Sequence, residues 1–91
     1  MVARRCIVSG RVQGVFYRKS AQQRARELGV TGHARNRVDG SVEVLAVGEA
    51  AAVEAFVAWL WQGSSTSHVT AVEVIELDPL AVQPPVGFFT G

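Results

Sequence analysis

The chain has 91 residues, with nine Lys and Arg against eight Asp and Glu, a formal net charge of +1, and 48% hydrophobic residues. This length supports one domain, 1–91, and the near-neutral balance lacks the basic excess of a nucleic-acid binder. Met1–Arg5 is charged and the apolar run after it is short, so neither a signal peptide nor a membrane span is expected. The single cysteine, Cys6, allows no internal disulfide and suits a reducing cytoplasm.

Residues 3–9 form the first predicted strand, with Cys6 and Val8 on one side and Arg5, Ile7 and Ser9 on the other. After a glycine-containing loop, Tyr17, Ala21, Ala25 and Leu28 recur at helical spacing, and Gly29 stands where a helix C-terminus favours glycine, predicting a helix over 17–28. Two strands follow, 30–37 and 41–47, joined at Asp39-Gly40, a hairpin signal. In the second of them Val42, Val44 and Ala46 take one face, and Ser41, Glu43 and Leu45 the other. Val53, Phe56, Val57 and Leu60 then make an i, i+3, i+4, i+7 stripe, predicting a helix over 49–62 stopped by Gly63. Trp59 and Trp61, two apart, cannot share a helix face, so one joins the core and the other is partly exposed. The Ser/Thr-rich run 64–67 is a loop, and 69–77 alternates as a fourth strand. Pro79, Pro84 and Pro85 break the tail, and 86–89 adds a short edge strand. The order β-α-β-β-α-β, with right-handed crossovers, predicts an α+β ferredoxin-like sandwich: an antiparallel sheet of four to five strands with both helices on one face.

The segment Gly10-Arg11-Val12-Gln13-Gly14-Val15-Phe16-Tyr17-Arg18 carries the chemistry. It leaves a strand, turns on glycines and opens a helix with Arg18 in its first turn. Gly14 allows positive φ and close approach of an anion, while Val15 and Phe16 are expected to bury their side chains beneath the loop. Loop N–H groups, the positive helix terminus and a guanidinium able to fork two oxygens would together cradle a phosphate. On spacing alone the segment also reads as a glycine turn followed by a surface arginine. That arginine sits at the end of the helix dipole that disfavours it, by a few tenths of a kcal/mol up to about 1. A Walker loop fails because Lys19 follows Arg18 rather than glycine, and a cysteine-phosphatase loop fails because Val12 stands six after Cys6. Cys6 reads as an inert core thiol. His33 and His68 with one cysteine make no metal set, and no serine sits in a Gly-x-Ser-x-Gly elbow. Arg4, Arg5 and Arg11 read as a solvated surface, with attraction of an anionic substrate as the alternative.

Ser9 to Arg18, then Gly32-His33-Ala34-Arg35-Asn36, then Gly40-Ser41-Val42 with Gly48 closing the strand, resemble the two signature regions of the acylphosphatase family, in order and at its separation. The resemblance covers nearly the whole chain except its last ten or so residues. It implies metal-independent, cofactor-free hydrolysis of the carboxyl–phosphate anhydride of acyl phosphates to carboxylate and inorganic phosphate. It also implies direct attack by water and no covalent enzyme intermediate. Carried over residue by residue, Arg18 resembles the phosphate-binding arginine, and the amides of Gln13, Gly14, Val15, Phe16, Tyr17 and Arg18 complete the cradle. Asn36 resembles the asparagine that holds the attacking water. Inorganic phosphate is then both product and inhibitor. The family default is a cytoplasmic monomer without nucleic-acid or membrane partner. His33 departs from the family, which usually has an aromatic there; its ring is expected to pack against the sheet.

Two other function classes compete with this reading. The same strand order serves RNA-binding modules, but those stack bases on aromatics of the first and third strands, and residues 3–9 and 41–47 contain none. A non-catalytic acylphosphatase-like accessory domain is the alternative, as at the front of a larger carbamoyl-transferring enzyme. Downstream zinc-finger cysteines would mark such a protein, and the chain holds none.

Overall fold

The computed structural model describes residues 1–82 and 85–91. Pro84, one of the expected tail breakers, lies outside the described residues. The elements are β1 (Val2–Arg11), α1 (Tyr17–Leu28), β2 (Thr31–Asn36), β3 (Val42–Gly48), α2 (Ala50–Gln62), β4 (His68–Leu77) and β5 (Phe88–Thr90). The strands form one sheet in the order β4-β1-β3-β2-β5. The four predicted strands pair antiparallel, Val8 lying opposite Val42 in β3 and Val72 in β4, and Asn36 opposite Val42. β5 begins two residues later than expected and joins β2 in parallel, Gly32 facing Phe88, so the antiparallel expectation holds for four strands and the five-stranded sheet is mixed. Of the two sheet edges left by the four antiparallel strands, at β4 and at β2, the chain returns to that of β2, running in β2's own direction.

Alternation decides the faces. Cys6, Val8, Val42, Val44, Ala46 and Ala34 are completely buried on the helix-covered face. Their neighbours Arg5, Ile7, His33, Glu43 and Leu45 are half-buried on the open one. From the helices, Tyr17, Ala21 and Ala25 of α1 and Val53, Phe56 and Leu60 of α2 complete a single core. Aromatic rings fill its centre: Phe56 stacks on Trp59 at 6.2 Å and meets Phe88 edge-on at 5.5 Å, and Tyr17 lies 5.9 Å from Trp59. Trp59 packs on the core while Trp61 is exposed, the division their spacing required. α1 ends as predicted, Gly29 taking φ +75 and donating back to Arg26. The hairpin is closed by Arg37 N–H on the Ser41 carbonyl (2.8 Å), with a three-residue tip in which Gly40 takes φ +93. Burial pushes the Cys6 thiol up to about 11, consistent with an inert core residue.

His33 is half-buried on the open face of the sheet, and its ring has a polar partner there. Its Nε2 lies 2.9 Å from Oε1 of Glu43, whose other oxygen accepts from Nε of Arg5 at 2.9 Å and stands 2.9 Å from Nη2 of the same guanidinium. Arg4 pairs with Glu76 at 3.5 Å. Among the described residues no helix is long and apolar enough to cross a membrane.

Candidate active site

β1 ends in a bulge. Its register against β4 shifts between Ser9 and Gly10, where φ is +121 and a Cβ would lie 2.1 Å from the His68 carbonyl oxygen. Only glycine fits this approach. The chain leaves the sheet through residues 12–16. Val12 and Val15 drop into the core and anchor this loop, while Gly14 (φ +72) and Phe16 (φ +60) take left-handed conformations. Such kinks can turn neighbouring N–H groups toward one concavity.

Side-chain donors hold the loop from two directions. Gln13 Nε2 donates to the carbonyls of Arg37 (2.8 Å) and Ser41 (2.9 Å), bridging to the hairpin. Ser64 Oγ (2.7 Å) and Thr66 Oγ1 (3.1 Å) both donate to the Val15 carbonyl from the loop after α2. Beneath it, the Tyr17 hydroxyl donates to the Leu60 carbonyl at 2.7 Å, and burial raises its pKa, keeping it a neutral donor. The loop is therefore preorganised.

The start of α1 is chemically open. It has no side-chain cap and no acidic residue in its first turn. Among the described residues, none of the backbone N–H groups of Gln13 to Arg18 donates to a backbone carbonyl. Arg18, half-buried in that first turn, belongs to none of the ion pairs among the described residues. A cavity of about 290 Å³ opens beside it, lined by Val12, Gly14 and Phe16 of the loop, Arg18 and Lys19 of α1, and Thr90 of β5. Unpaired donors, a positive helix end and two cations therefore border one concavity, an arrangement suited to a phosphate dianion.

Of the residues singled out from sequence, the structure brings Gly14, Phe16, Tyr17 and Arg18 to this cavity, with Gln13 and Val15 in its supporting loop. Asn36 stands apart. It is the exposed last residue of β2 and borders a separate, shallow depression with Arg37, Val38 and Asp39. Both sites lie at the same end of the sheet, where β1 and β2 finish, and Gln13 physically connects them. The expectation for Phe16 needs correction: the residue is 76% exposed, not buried beneath the loop. At a left-handed backbone its ring is turned outward, and Val15 and Tyr17 occupy the inward positions instead.

Reading the sequence missed several contributors. Lys19 was visible as a second cation beside Arg18. The side-chain tethers of Gln13, Ser64 and Thr66 had no local signal, because their partners lie 24 to 51 residues away. Thr90 reaches the cavity only through the pairing of β5 with β2.

The acylphosphatase family model matches residues 4–88. An acylphosphatase of Xanthomonas oryzae pv. oryzae is 54% identical over 91 residues, covering 100% of both chains. The crystal structure of acylphosphatase from Bacillus subtilis matches with a TM-score of 0.94 at 37% identity, over 100% of this chain and 99% of that one. An acylphosphatase from Coxiella burnetii matches with a TM-score of 0.91 at 34% identity, over 99% of this chain and 92% of that one. The chain belongs to the acylphosphatase family. Its ferredoxin-like fold is the fold of those structures, and it is an enzyme of this type.

Proposed function

We propose that the protein hydrolyses acyl phosphates, with the phosphate held by Arg18 and the amides of Gln13 to Arg18, and with the attacking water held by Asn36. The observation that carries this reading is the meeting of unpaired loop N–H groups, an uncapped helix start and an unpaired arginine at one cavity. The guanidinium can take two phosphate oxygens in a fork while the amides take others. Water attacks phosphorus, the bond from phosphorus to the acyl oxygen breaks, and the carboxylate departs with its electron pair. The proton of the water passes to a phosphate oxygen, giving inorganic phosphate. A carboxylate is a good leaving group, so the step needs positioning and charge stabilisation more than acid catalysis. The Asn36 side chain is neutral at all relevant pH and offers donor and acceptor atoms, so it can orient water without taking its proton. Neither role requires a metal or cofactor.

The test is hydrolysis of benzoyl phosphate in excess EDTA. Wild type turns over, and Arg18→Ala and Asn36→Ala each lose at least about 10²-fold in kcat/KM while remaining folded by circular dichroism. Inorganic phosphate inhibits competitively, since it fills the same cradle. Turnover that survives in Arg18→Ala, or noncompetitive phosphate inhibition, would remove the cradle from the mechanism. A folded wild type without turnover would leave the accessory-domain reading.

A further inference from the structure

We propose that Phe16 is the specificity-determining residue of this site, its ring receiving the acyl group and favouring aromatic and bulky apolar acyl phosphates over small ones. The inference rests on the acyl phosphate reading above and names the part of the substrate that the phosphate cradle leaves unaddressed.

Two features of Phe16 run against folding. The residue is 76% exposed in a chain whose core is small, and it is the one non-glycine residue at positive φ among the described residues. Glycine or asparagine would accept this backbone with less strain, and neither would expose an aromatic ring. The fold gains nothing visible in exchange, because Val15 and Tyr17 on either side supply the burial. A strained backbone presenting an apolar ring at a cavity mouth is the pattern of a ligand contact.

The cavity has two chemistries. Gly14, Arg18 and Lys19 offer an amide and two cations, and Phe16 offers apolar surface. An acyl phosphate has the same two parts, joined through one bridging oxygen. With the phosphate against Arg18, the carbonyl carbon lies one bridging atom from phosphorus, and the group it carries must leave past the rim where the Phe16 ring stands. An aromatic acyl group can stack on that ring; an acetyl group is too small to cover it. The competing apolar surface is Val38, fully exposed on the hairpin beside Asn36. It borders the other depression, without the Arg18 cradle.

The test compares kcat/KM for benzoyl phosphate and acetyl phosphate in wild type, Phe16→Asn, Phe16→Trp and Val38→Ser. Asparagine tolerates the left-handed backbone and removes the ring. The expected result is a benzoyl-to-acetyl ratio that falls about tenfold in Phe16→Asn, is kept in Phe16→Trp, and is unmoved in Val38→Ser. A ring that only shaped the loop would lower both substrates together and weaken inhibition by inorganic phosphate in parallel. An unchanged ratio in Phe16→Asn overturns the proposal while leaving the acyl phosphate reading intact, and so does a ratio lost in Val38→Ser instead. A wild type that hydrolyses neither substrate overturns both.

Discussion

Gln13 shows how much one side chain can do between two parts of a site. Both hydrogens of its amide are used, on the Arg37 and Ser41 carbonyls, so the loop after β1 and the hairpin following Asn36 are held at a fixed separation. Leucine of similar size would leave both carbonyls without this donor. Gln13→Leu is therefore expected to destabilise the protein by about 1–2 kcal/mol, read from chemical unfolding. On the proposed roles it also lowers kcat/KM for benzoyl phosphate by about tenfold, because a small displacement of a positioned group is costly in rate. A full loss of stability with unaltered kinetics would confine Gln13 to a structural role. Phe16 is the complementary case: a residue whose backbone costs of order 1–3 kcal/mol and whose side chain returns none of it to the core.

At the scale of elements, the open face of the sheet is tied together by charge. Arg5 of β1, Glu43 of β3 and His33 of β2 link three strands through one carboxylate. The hydrogen bond from His33, and then those and the charge of Arg5, hold the Glu43 pKa below its ordinary 4.5. The folded-state value is the lower one, so the stabilisation is fully present above about pH 4.5 and is lost as pH falls through the depressed value. Glu43→Gln is expected to lower stability at neutral pH by about 1 kcal/mol and to flatten the acid limb of the stability–pH profile. Thermal unfolding followed from pH 7 to pH 3 tests this; parallel profiles for wild type and variant would show that another carboxylate sets the acid limb.

For the whole molecule, the C-terminal strand closes the structure. Phe88 is buried against Phe56, its carbonyl accepts from Gln22 Nε2 at 2.9 Å, and the Gly87 carbonyl just before it accepts from Gly32 N–H at 2.9 Å. Three residues thus seal the core, cap the edge of β2 and bring Thr90 to the cavity. Phe88→Ala is expected to cost about 3–5 kcal/mol, read as a lower urea midpoint at unchanged slope. It should also raise KM for acyl phosphates through the loosened β5 wall. A loss below about 1 kcal/mol would mean that the core closes without β5.

The sequence determined the order and type of the elements, because alternation in 41–47, the α2 stripe and the stops at Gly29 and Gly63 are local properties of neighbouring residues. It also exposed the glycine loop and Arg18, since a turn that needs Gly10 and Gly14 leaves its mark in composition. Tertiary structure decided the rest. The parallel docking of β5 depends on which of the two free sheet edges the returning chain meets, and the Gln13, Ser64 and Thr66 tethers depend on contacts between distant segments. The outward ring of Phe16 went unread because left-handed backbone is expected of glycine or asparagine, and a phenylalanine between Val15 and Tyr17 reads as core until the folded loop shows that only two of the three can point inward.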